Sequence, residues 1–235
     1  MKTLLIATAC AAVLAASAAA QQPAAGQTPS NGRLPPLFFS EPFKQTGLER
    51  NVDGDVLTNP NLELKLYGAG SKDMQIAPTT PNTRQDPPNL WTGTSTTPVA
   101  ATLRDKNNYV DLTGRAKIRW QTRSAGFHVV RPVIKLADGT WLIGDHTDGD
   151  GSTENFIETE FSIASVRWLK LDIATVTTIH GDRQKAPELG RWVEKPNLSK
   201  VDEIGFADLM PGSGHGWGGF VNVGRIDVYG TPVKR

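Results

Sequence analysis

Apolar and polar residues alternate at every second position along much of the sequence, and this feature constrains the fold more than any other. In the stretch 62–67, three leucines alternate with two charged residues and Tyr67. The same alternation recurs at 116–121, 168–173, 203–206 and 225–229. Because successive side chains of a strand point to opposite faces of a sheet, the pattern predicts many short β-strands, each with one buried face.

The segments between these runs predict how the strands connect. Further strands are expected at 127–136, 140–145 and 155–163, and Asp138-Gly139 predicts a tight hairpin between the first two of these. Short helical turns are expected only near 173–179 and 198–201. Many short strands joined by long Pro- and Gly-rich loops favour an all-β fold, a two-sheet β-sandwich of the jelly-roll type, with a closed barrel as the alternative.

The first twenty residues have the layout of a secretory signal peptide. Lys2 provides the positive start, Leu4–Ala16 the apolar segment, and Ala18–Ala20 a cleavage site of small residues. Cleavage after Ala20 would remove Cys10, the single cysteine of the chain, so the mature protein would have neither a disulfide nor a cysteine-bound metal. The sequence therefore predicts a secreted or periplasmic protein.

The rest of the chain is predicted to form one domain. Residues 21–36 are rich in Gln, Pro, Ala and Gly and predict a flexible linker, followed by a single β-sandwich domain over 37–235. The net charge of the full sequence is +1, so the loss of Lys2 leaves it near zero. Without a basic excess we expect no nucleic-acid partner, and no later stretch has the ~20 apolar residues that a membrane span needs.

Four stretches carry a resemblance to a known kind of protein. They are "LTGRAKIRWQTR", "VIKLADGTWLIGD", "VRWLKLDI" and the closing "KVDEIGFADLMPGSGHGWGGFVNVGRIDVYG". Over roughly Leu112 to Gly230 the chain resembles the galactose-binding-like jelly rolls of carbohydrate-binding modules. The resemblance implies glycan binding through a concave sheet or through loop tips, and often a structural calcium ion. It is one of pattern, so it assigns no binding residue.

A glycine-rich loop, Pro211–Phe220, contains the first candidate ligand-binding residues. Its large side chains before Phe220 are His215 and Trp217. An indole can stack on the apolar face of a sugar ring, and an imidazole can form hydrogen bonds with hydroxyl groups. The alternative is that Trp217 folds back over the core while His215 is merely exposed.

Trp168 is a second candidate because of its position in the alternation. If Leu169 and Leu171 are buried, Trp168 should lie on the opposite, outward face together with Lys170. A tryptophan among polar residues on an outward sheet face would be a platform for a sugar. The alternative is that another layer or the Pro-rich stretch 77–98 covers that face.

A row of cationic and polar residues, from Arg115 to Arg123 and including Arg119, shares the face opposite Trp120. One interpretation is that such a row binds the carboxylates or sulfates of an acidic glycan. The alternative is a solvated face whose cations pair with acids on a neighbouring strand, and Glu158 and Glu160 have the spacing to supply them.

Two acidic loops suggest one structural Ca²⁺ ion. The first contains Asp145, Asp148 and Asp150, and the second runs over Asn51–Asp55. Calcium takes six to eight oxygen ligands on bendable loops, which clustered Asp, Asn and Gly can supply. Neither loop has the spacing of an EF-hand.

No catalytic motif is present, so the sequence makes no prediction about enzyme activity. The leading hypothesis is a secreted carbohydrate-binding protein whose partner is an oligo- or polysaccharide. The main alternative is a glycan-cleaving enzyme, a hydrolase or lyase, on the same sandwich. A surface module without a small ligand is a third hypothesis.

Overall fold

The computed structural model describes residues 34–47, 49–77, 86–148, 155–178, 192–212, 214 and 218–235. The chain divides into the units Met1–Gly32 and Arg33–Arg235. The first unit lies outside the described residues, as do the predicted signal peptide and most of the predicted linker. Within the described part of the chain, no helix is long and apolar enough to cross a membrane.

The described residues of the second unit form strands and three short 3-10 helices, without an α-helix. The strands are β1 (Leu37–Glu41), β2 (Arg50–Asn51), β3 (Leu62–Tyr67), β4 (Gln75–Ala77), β5 (Asn89–Trp91), β6 (Val99–Asp105), β7 (Asn108–Asp111), β8 (Lys117–Ala125), β9 (Arg131–Leu136), β10 (Trp141–Gly144), β11 (Ile157–Ser162), β12 (Trp168–Asp172), β13 (Thr177–Thr178), β14 (Trp192–Val193), β15 (Val201–Asp208), β16 (Phe220–Tyr229) and β17 (Thr231–Lys234). The 3-10 helices are Gly54–Val56, Ala69–Asp73 and Ile163–Ser165.

These strands form two antiparallel sheets. The small sheet has the order β11-β8-β16-β5-β4-β2, with β1 also paired to β16. The large sheet has the order β13-β12-β10-β9-β15-β6-β3, with β14 paired to β12 and β7 paired to β15 and β17. The fold is therefore the predicted all-β, two-sheet sandwich.

The main core lies between the two sheets. The small sheet contributes Ile118 and Trp120 from β8, and the large sheet contributes Ile134, Leu142 and Phe206. Each of these side chains is no more than 1% exposed, and full burial of a side chain of this size stabilises a fold by about 1.5–3 kcal/mol. We call the core-facing side of each sheet its inner face and the other side its outer face.

A second apolar cluster lies on the outer face of the large sheet. Val133, Ile143 and Leu169 belong to it, and Val176 from the turn after β12 packs against them. All four are less than 10% exposed. Much of the large sheet is therefore covered on both sides, which the period-two pattern did not predict.

The predicted strands and the predicted hairpin are confirmed, although the strand expected over 127–136 begins only at Arg131. β9 and β10 pair in register around Asp138-Gly139, where Gly139 has a φ of 88° and Asp138 accepts a hydrogen bond from the Thr140 backbone N–H at 2.8 Å. Glycine is favoured at such a positive φ because it has no Cβ. The helical turn expected near 173–179 is a plain turn over 173–176, followed by β13.

Candidate functional site

Trp168 is not on an outward face, so this part of the prediction was wrong. Its side chain is 2% exposed and belongs to the main core. Leu169 and Leu171 instead face outward into the second apolar cluster. The alternation correctly placed Trp168 on one face of β12 and the two leucines on the other. It did not show which face meets the other sheet, because β12 has buried apolar residues on both faces.

Lys170 shares the inner face with Trp168. It lies opposite Leu142 in the register of β10 and β12, and it is partly exposed. Since its strand neighbour Trp168 is buried, Lys170 does not border an exposed indole on this face. The predicted pair therefore does not form a platform for a ligand.

The cationic row on β8 lies on the outer face of the small sheet and pairs with acids. Arg119 Nη2 lies 2.7 Å from Asp227 Oδ2. Lys117 lies 2.9 Å from Glu160, and Gln121 Nε2 donates to Glu158 at 3.4 Å. β11 places both glutamates beside this row, so the alternative of a neutralised, solvated face fits the described contacts better than an acidic glycan does.

The loop residues His215 and Trp217 lie outside the described residues, so their roles stay predictions. The base of their loop is described, and a buried network holds it. Asp208 Oδ2 lies 2.7 Å from His128 Nδ1 and accepts a hydrogen bond from Thr92 Oγ1 at 2.7 Å. A Cβ on Gly219 would lie 2.4 Å from the ring of His128, so only glycine allows this approach.

In the two predicted calcium loops, the carboxylates of Asp145, Asp148 and Asp53 are engaged by protein groups. Asp145 accepts hydrogen bonds from the backbone N–H of Arg167 at 2.8 Å and from its guanidinium at 2.7 Å. Asp148 accepts from the indole N–H of Trp120, and Asp53 pairs with Arg50. Asp150 lies outside the described residues. Within the described part of the chain, no three acidic, histidine or cysteine side chains form a metal-binding group, and calcium binding stays a prediction.

The structure instead brings two aromatic residues together on the outer face of the large sheet. The rings of Tyr67 on β3 and Trp141 on β10 are 4.8 Å apart and nearly perpendicular, at 69°. Such edge-to-face contacts are favourable for aromatic pairs. Both side chains are only partly buried, so part of each remains open to solvent.

Polar side chains adjoin this aromatic pair. Trp141, Lys135 and Glu203 lie side by side across β10, β9 and β15. Glu203 is 2% exposed and accepts hydrogen bonds from the hydroxyls of Tyr67 at 2.8 Å and Thr102 at 2.6 Å, and from Lys135 Nζ at 3.0 Å. We call these five residues the outer-face site.

The pKa shifts at the outer-face site keep Tyr67 neutral and Lys135 positively charged. Burial, and next the hydrogen bond to Glu203, raise the pKa of the Tyr67 phenol, so Tyr67 stays a neutral donor. Burial alone would lower the pKa of Lys135, but its hydrogen bond to Glu203 and the charges of Glu203 and Asp202 outweigh that effect and raise it. Lys135 therefore stays cationic, and its Nζ lies 5.6 Å from the centroid of the Trp141 ring.

Ion pairs extend the site towards β3 and β6. Arg104 bonds Asp202 at 3.1 Å and Glu63 at 3.3 Å, and Arg235 also pairs with Asp202 at 2.6 Å. At the opposite edge, Trp192 on β14 lies next to Leu169 on the outer face and is 41% exposed. The outer face therefore carries aromatic and charged side chains across most of its strands.

A smaller aromatic pair lies on the outer face of the small sheet. The rings of Trp91 and Phe220 are 6.2 Å apart at 71°, and Phe220 is the last residue of the glycine-rich loop. The neighbouring polar group, Asn222, is already bonded to Asn89 at 2.6 Å. Because a Cβ on Gly93 would lie 2.5 Å from the Trp91 ring, backbone already covers part of that indole.

Sequence reasoning missed Tyr67 and Trp141, although a signal for Tyr67 was present. Tyr67 alternates with leucines on the same strand face as Glu63 and Lys65, which marks an aromatic residue on a polar face. Trp141 has no such signal, because Leu142 and Ile143 follow it and both are buried. The contact of Tyr67 with Glu203 joins residues 136 positions apart.

Fold and site together define an all-β sandwich protein with an aromatic and charged surface on one sheet. No family model matches the sequence, and no curated protein matches it either. Among solved structures, the chain is similar to the family 11 carbohydrate-binding module of the cellulosomal cellulase Lic26A-Cel5E of Clostridium thermocellum. That match has 14% identity over 78% of this chain and 95% of the other, with a TM-score of 0.42.

Two further structures give comparable values. A family 11 module from Clostridium thermocellum in complex with a β-1,3-1,4-mixed-linked tetrasaccharide has 15% identity, a TM-score of 0.41, and coverage of 80% of this chain and 98% of the other. The carbohydrate recognition domain of Emp47p has 8% identity, a TM-score of 0.36, and coverage of 88% and 100%. The resemblance to carbohydrate-binding modules is one of architecture, at TM-scores below 0.5.

Proposed function

We propose that the protein binds a glycan, without cleaving it, on the outer face of its large sheet. The observation that carries the proposal is the pair Tyr67 and Trp141, which is partly exposed on an outward sheet face beside Lys135 and Glu203. Flat aromatic side chains next to polar groups can contact both the C–H faces and the hydroxyl groups of sugars.

The energetics of such a site favour an aromatic contribution. Full burial of a large apolar side chain is worth about 1.5–3 kcal/mol, and stacking of a sugar on the open part of Trp141 would supply up to that amount. Every 1.4 kcal/mol is a tenfold change in Kd. Loss of the indole is therefore expected to weaken binding by up to about a hundredfold.

The rigidity of the site supports the same function. Tyr67 is held by its hydrogen bond to the buried Glu203 and by the edge contact with Trp141. A side chain already fixed in place loses little conformational freedom when a ligand binds, which favours affinity. A glycan would lie against the open parts of Tyr67 and Trp141, beside Lys135.

The proposal is tested with Trp141→Ala and a matched control, Trp91→Ala, on the outer face of the small sheet. Binding to a glycan array and then calorimetry on the best ligand measure the affinities, with thermal unfolding as the check on folding. We expect weakened binding only in Trp141→Ala. A glycan bound equally well by both variants and the wild type would contradict the site. If only Trp91→Ala loses glycan binding, the glycan site would instead be assigned to the glycine-rich loop with His215 and Trp217.

Export from the cytoplasm belongs to the same proposal. The signal-peptide layout of residues 1–20 motivates it, and the mature chain is then expected to begin at Gln21 without a thiol. Mass spectrometry of protein recovered from culture medium or periplasm measures the N-terminus. Recovery of the chain with Met1 and Cys10 retained would contradict cleavage after Ala20.

A further inference from the structure

A pocket of about 280 Å³ opens on the inner face of the small sheet, where β8 extends beyond the start of β11. Four hydroxyl side chains line it: Thr122, Ser124, Thr147 and Thr159. Asp148 and Ile157 contribute a carboxylate and an apolar surface. The outer-face site belongs to the other sheet, so the two sites have no residue in common.

The hydroxyl lining is unusual for its position on β8. The inner face of this strand begins with Ile118 and Trp120 in the main core and continues with Thr122 and Ser124, which are each 4% exposed. Within the described residues, neither of these two hydroxyls makes a side-chain hydrogen bond, and both face the pocket. Hydroxyls that no protein side chain engages can donate hydrogen bonds to a ligand in the pocket and accept them from it.

The carboxylate in the wall of the pocket is fixed in place. Asp148 accepts a hydrogen bond from the indole N–H of Trp120 and forms two backbone hydrogen bonds with Val130, at 2.8 and 3.0 Å. Its Oδ1 lies 3.3 Å from Nε2 of His146, whose ring stacks on Phe161 at 3.9 Å. These contacts hold the Asp148 carboxylate, a hydrogen-bond acceptor, in a fixed position beside the hydroxyl side chains of the pocket.

We propose that this pocket binds one neutral sugar ring, as a second site separate from the outer-face site. Hydroxyl groups act as donor and acceptor alike, so they match the hydroxyls of a sugar, and the exposed Ile157 offers a surface for its C–H groups. The volume is at the small end of ligand pockets, which suits a single ring.

The charges at the pocket select against an acidic ligand. Arg123 also lines the pocket, but its guanidinium is bonded to Asp86 at 2.8 Å and to Asn222 at 3.3 Å. The charged group that faces the ligand is therefore the Asp148 carboxylate, and its negative charge repels the carboxylate of an acidic sugar. A uronic acid is expected to bind more weakly than the corresponding neutral hexose.

The test is a titration of the full chain with free glucose, galactose and mannose, and with glucuronate, followed by NMR or calorimetry. At least one neutral hexose is expected to saturate the wild type and to bind more tightly than glucuronate. The double variant Thr122→Val/Ser124→Ala is expected to weaken that binding at least tenfold. Thr147→Ala, on an exposed residue whose loss cannot disturb the core, is expected to weaken it several-fold.

A control variant checks that the effect is local to the pocket. Thr231→Val, on an exposed strand residue outside the pocket lining, is expected to leave hexose binding unchanged. Absence of saturation by any neutral hexose would overturn the proposal, and so would wild-type affinity in both Thr147→Ala and the double variant. Tighter binding of glucuronate than of every hexose would overturn the neutral ligand class.

Discussion

The imidazole Nδ1 of His128 lies 2.7 Å from Asp208 Oδ2, and both residues are no more than 3% exposed. Thr92 donates to the same oxygen and in turn accepts a hydrogen bond from the Val221 backbone N–H at 2.9 Å. The network thus joins the end of β15 to the start of β16, the two strands that flank the glycine-rich loop. A buried network of this kind fixes where that loop begins and ends.

Asp208→Ala is expected to lower the free energy of unfolding by about 1–3 kcal/mol, because the Thr92 hydroxyl and the Met210 N–H each lose their acceptor. Urea unfolding measures the change. Asp55→Ala, on an exposed aspartate, serves as the control and is expected to change stability by less than about 0.5 kcal/mol. Equal stability of the two variants would mean that the network does not hold the loop base.

Trp168→Ala is expected to lower the free energy of unfolding by about 3–5 kcal/mol, because it leaves a large cavity in the main core. The matched control is Trp192→Ala, whose indole is 41% exposed and whose loss leaves no enclosed cavity. Thermal and urea unfolding compare the two variants. A Trp168→Ala protein as stable as the wild type would mean that this indole faces solvent, as the sequence pattern suggested.

Asp227 is expected to make the protein sensitive to acid. Burial alone would raise the pKa of Asp227, but hydrogen bonds from Ser40, Arg225 and Arg119 outweigh it and hold the pKa below the usual 3.8. A carboxylate with a lowered native pKa contributes stability that is fully present above its unfolded pKa. That stability is lost as the pH falls through the native pKa.

The unfolding free energy of the wild type should therefore decrease below about pH 4. Asp227→Asn should be less stable at pH 7 and should show a flatter dependence on pH below 4. Urea unfolding at several values between pH 3 and pH 7 measures both curves. Parallel curves for the two proteins would assign the acid sensitivity to other carboxylates.

Calcium binding at Asp145–Asp150 or Asn51–Asp55 would make thermal stability depend on the ion. An ion that binds only the native state stabilises it by about 2.7 kcal/mol at a hundredfold excess over Kd. Thermal unfolding in excess calcium and in excess chelator measures the difference, and magnesium serves as the control ion. Identical transitions in calcium and chelator would contradict a structural calcium site.

Several features followed from local pattern alone. The alternation in 62–67 and along β8 predicted strands and the residues that share a face, and Asp138-Gly139 predicted the hairpin. The spacing of Glu158 and Glu160 also indicated partners for the cationic row. These predictions succeeded because strand geometry and turn geometry depend on residues that are close together in the chain.

Which face of a strand is buried was decided only by the tertiary structure. β12 has apolar residues on both faces, so its period-two pattern identifies two sets of side chains without saying which set meets the other sheet. The second apolar cluster on the large sheet covers Leu169 and Leu171 and leaves Trp168 for the main core. The prediction failed there because burial depends on layers that are distant in sequence.

The sequence by itself determined the strands, their turns and the all-β class, because these depend on side-chain periodicity and on backbone preferences within a few residues. The tertiary structure decided the two sites. Tyr67 meets Glu203 across 136 positions, and Thr122 shares a pocket with Thr147 only because the two sheets pack together. Strand pairing and sheet packing place such residues side by side, and neither leaves a periodic signal in the sequence around them.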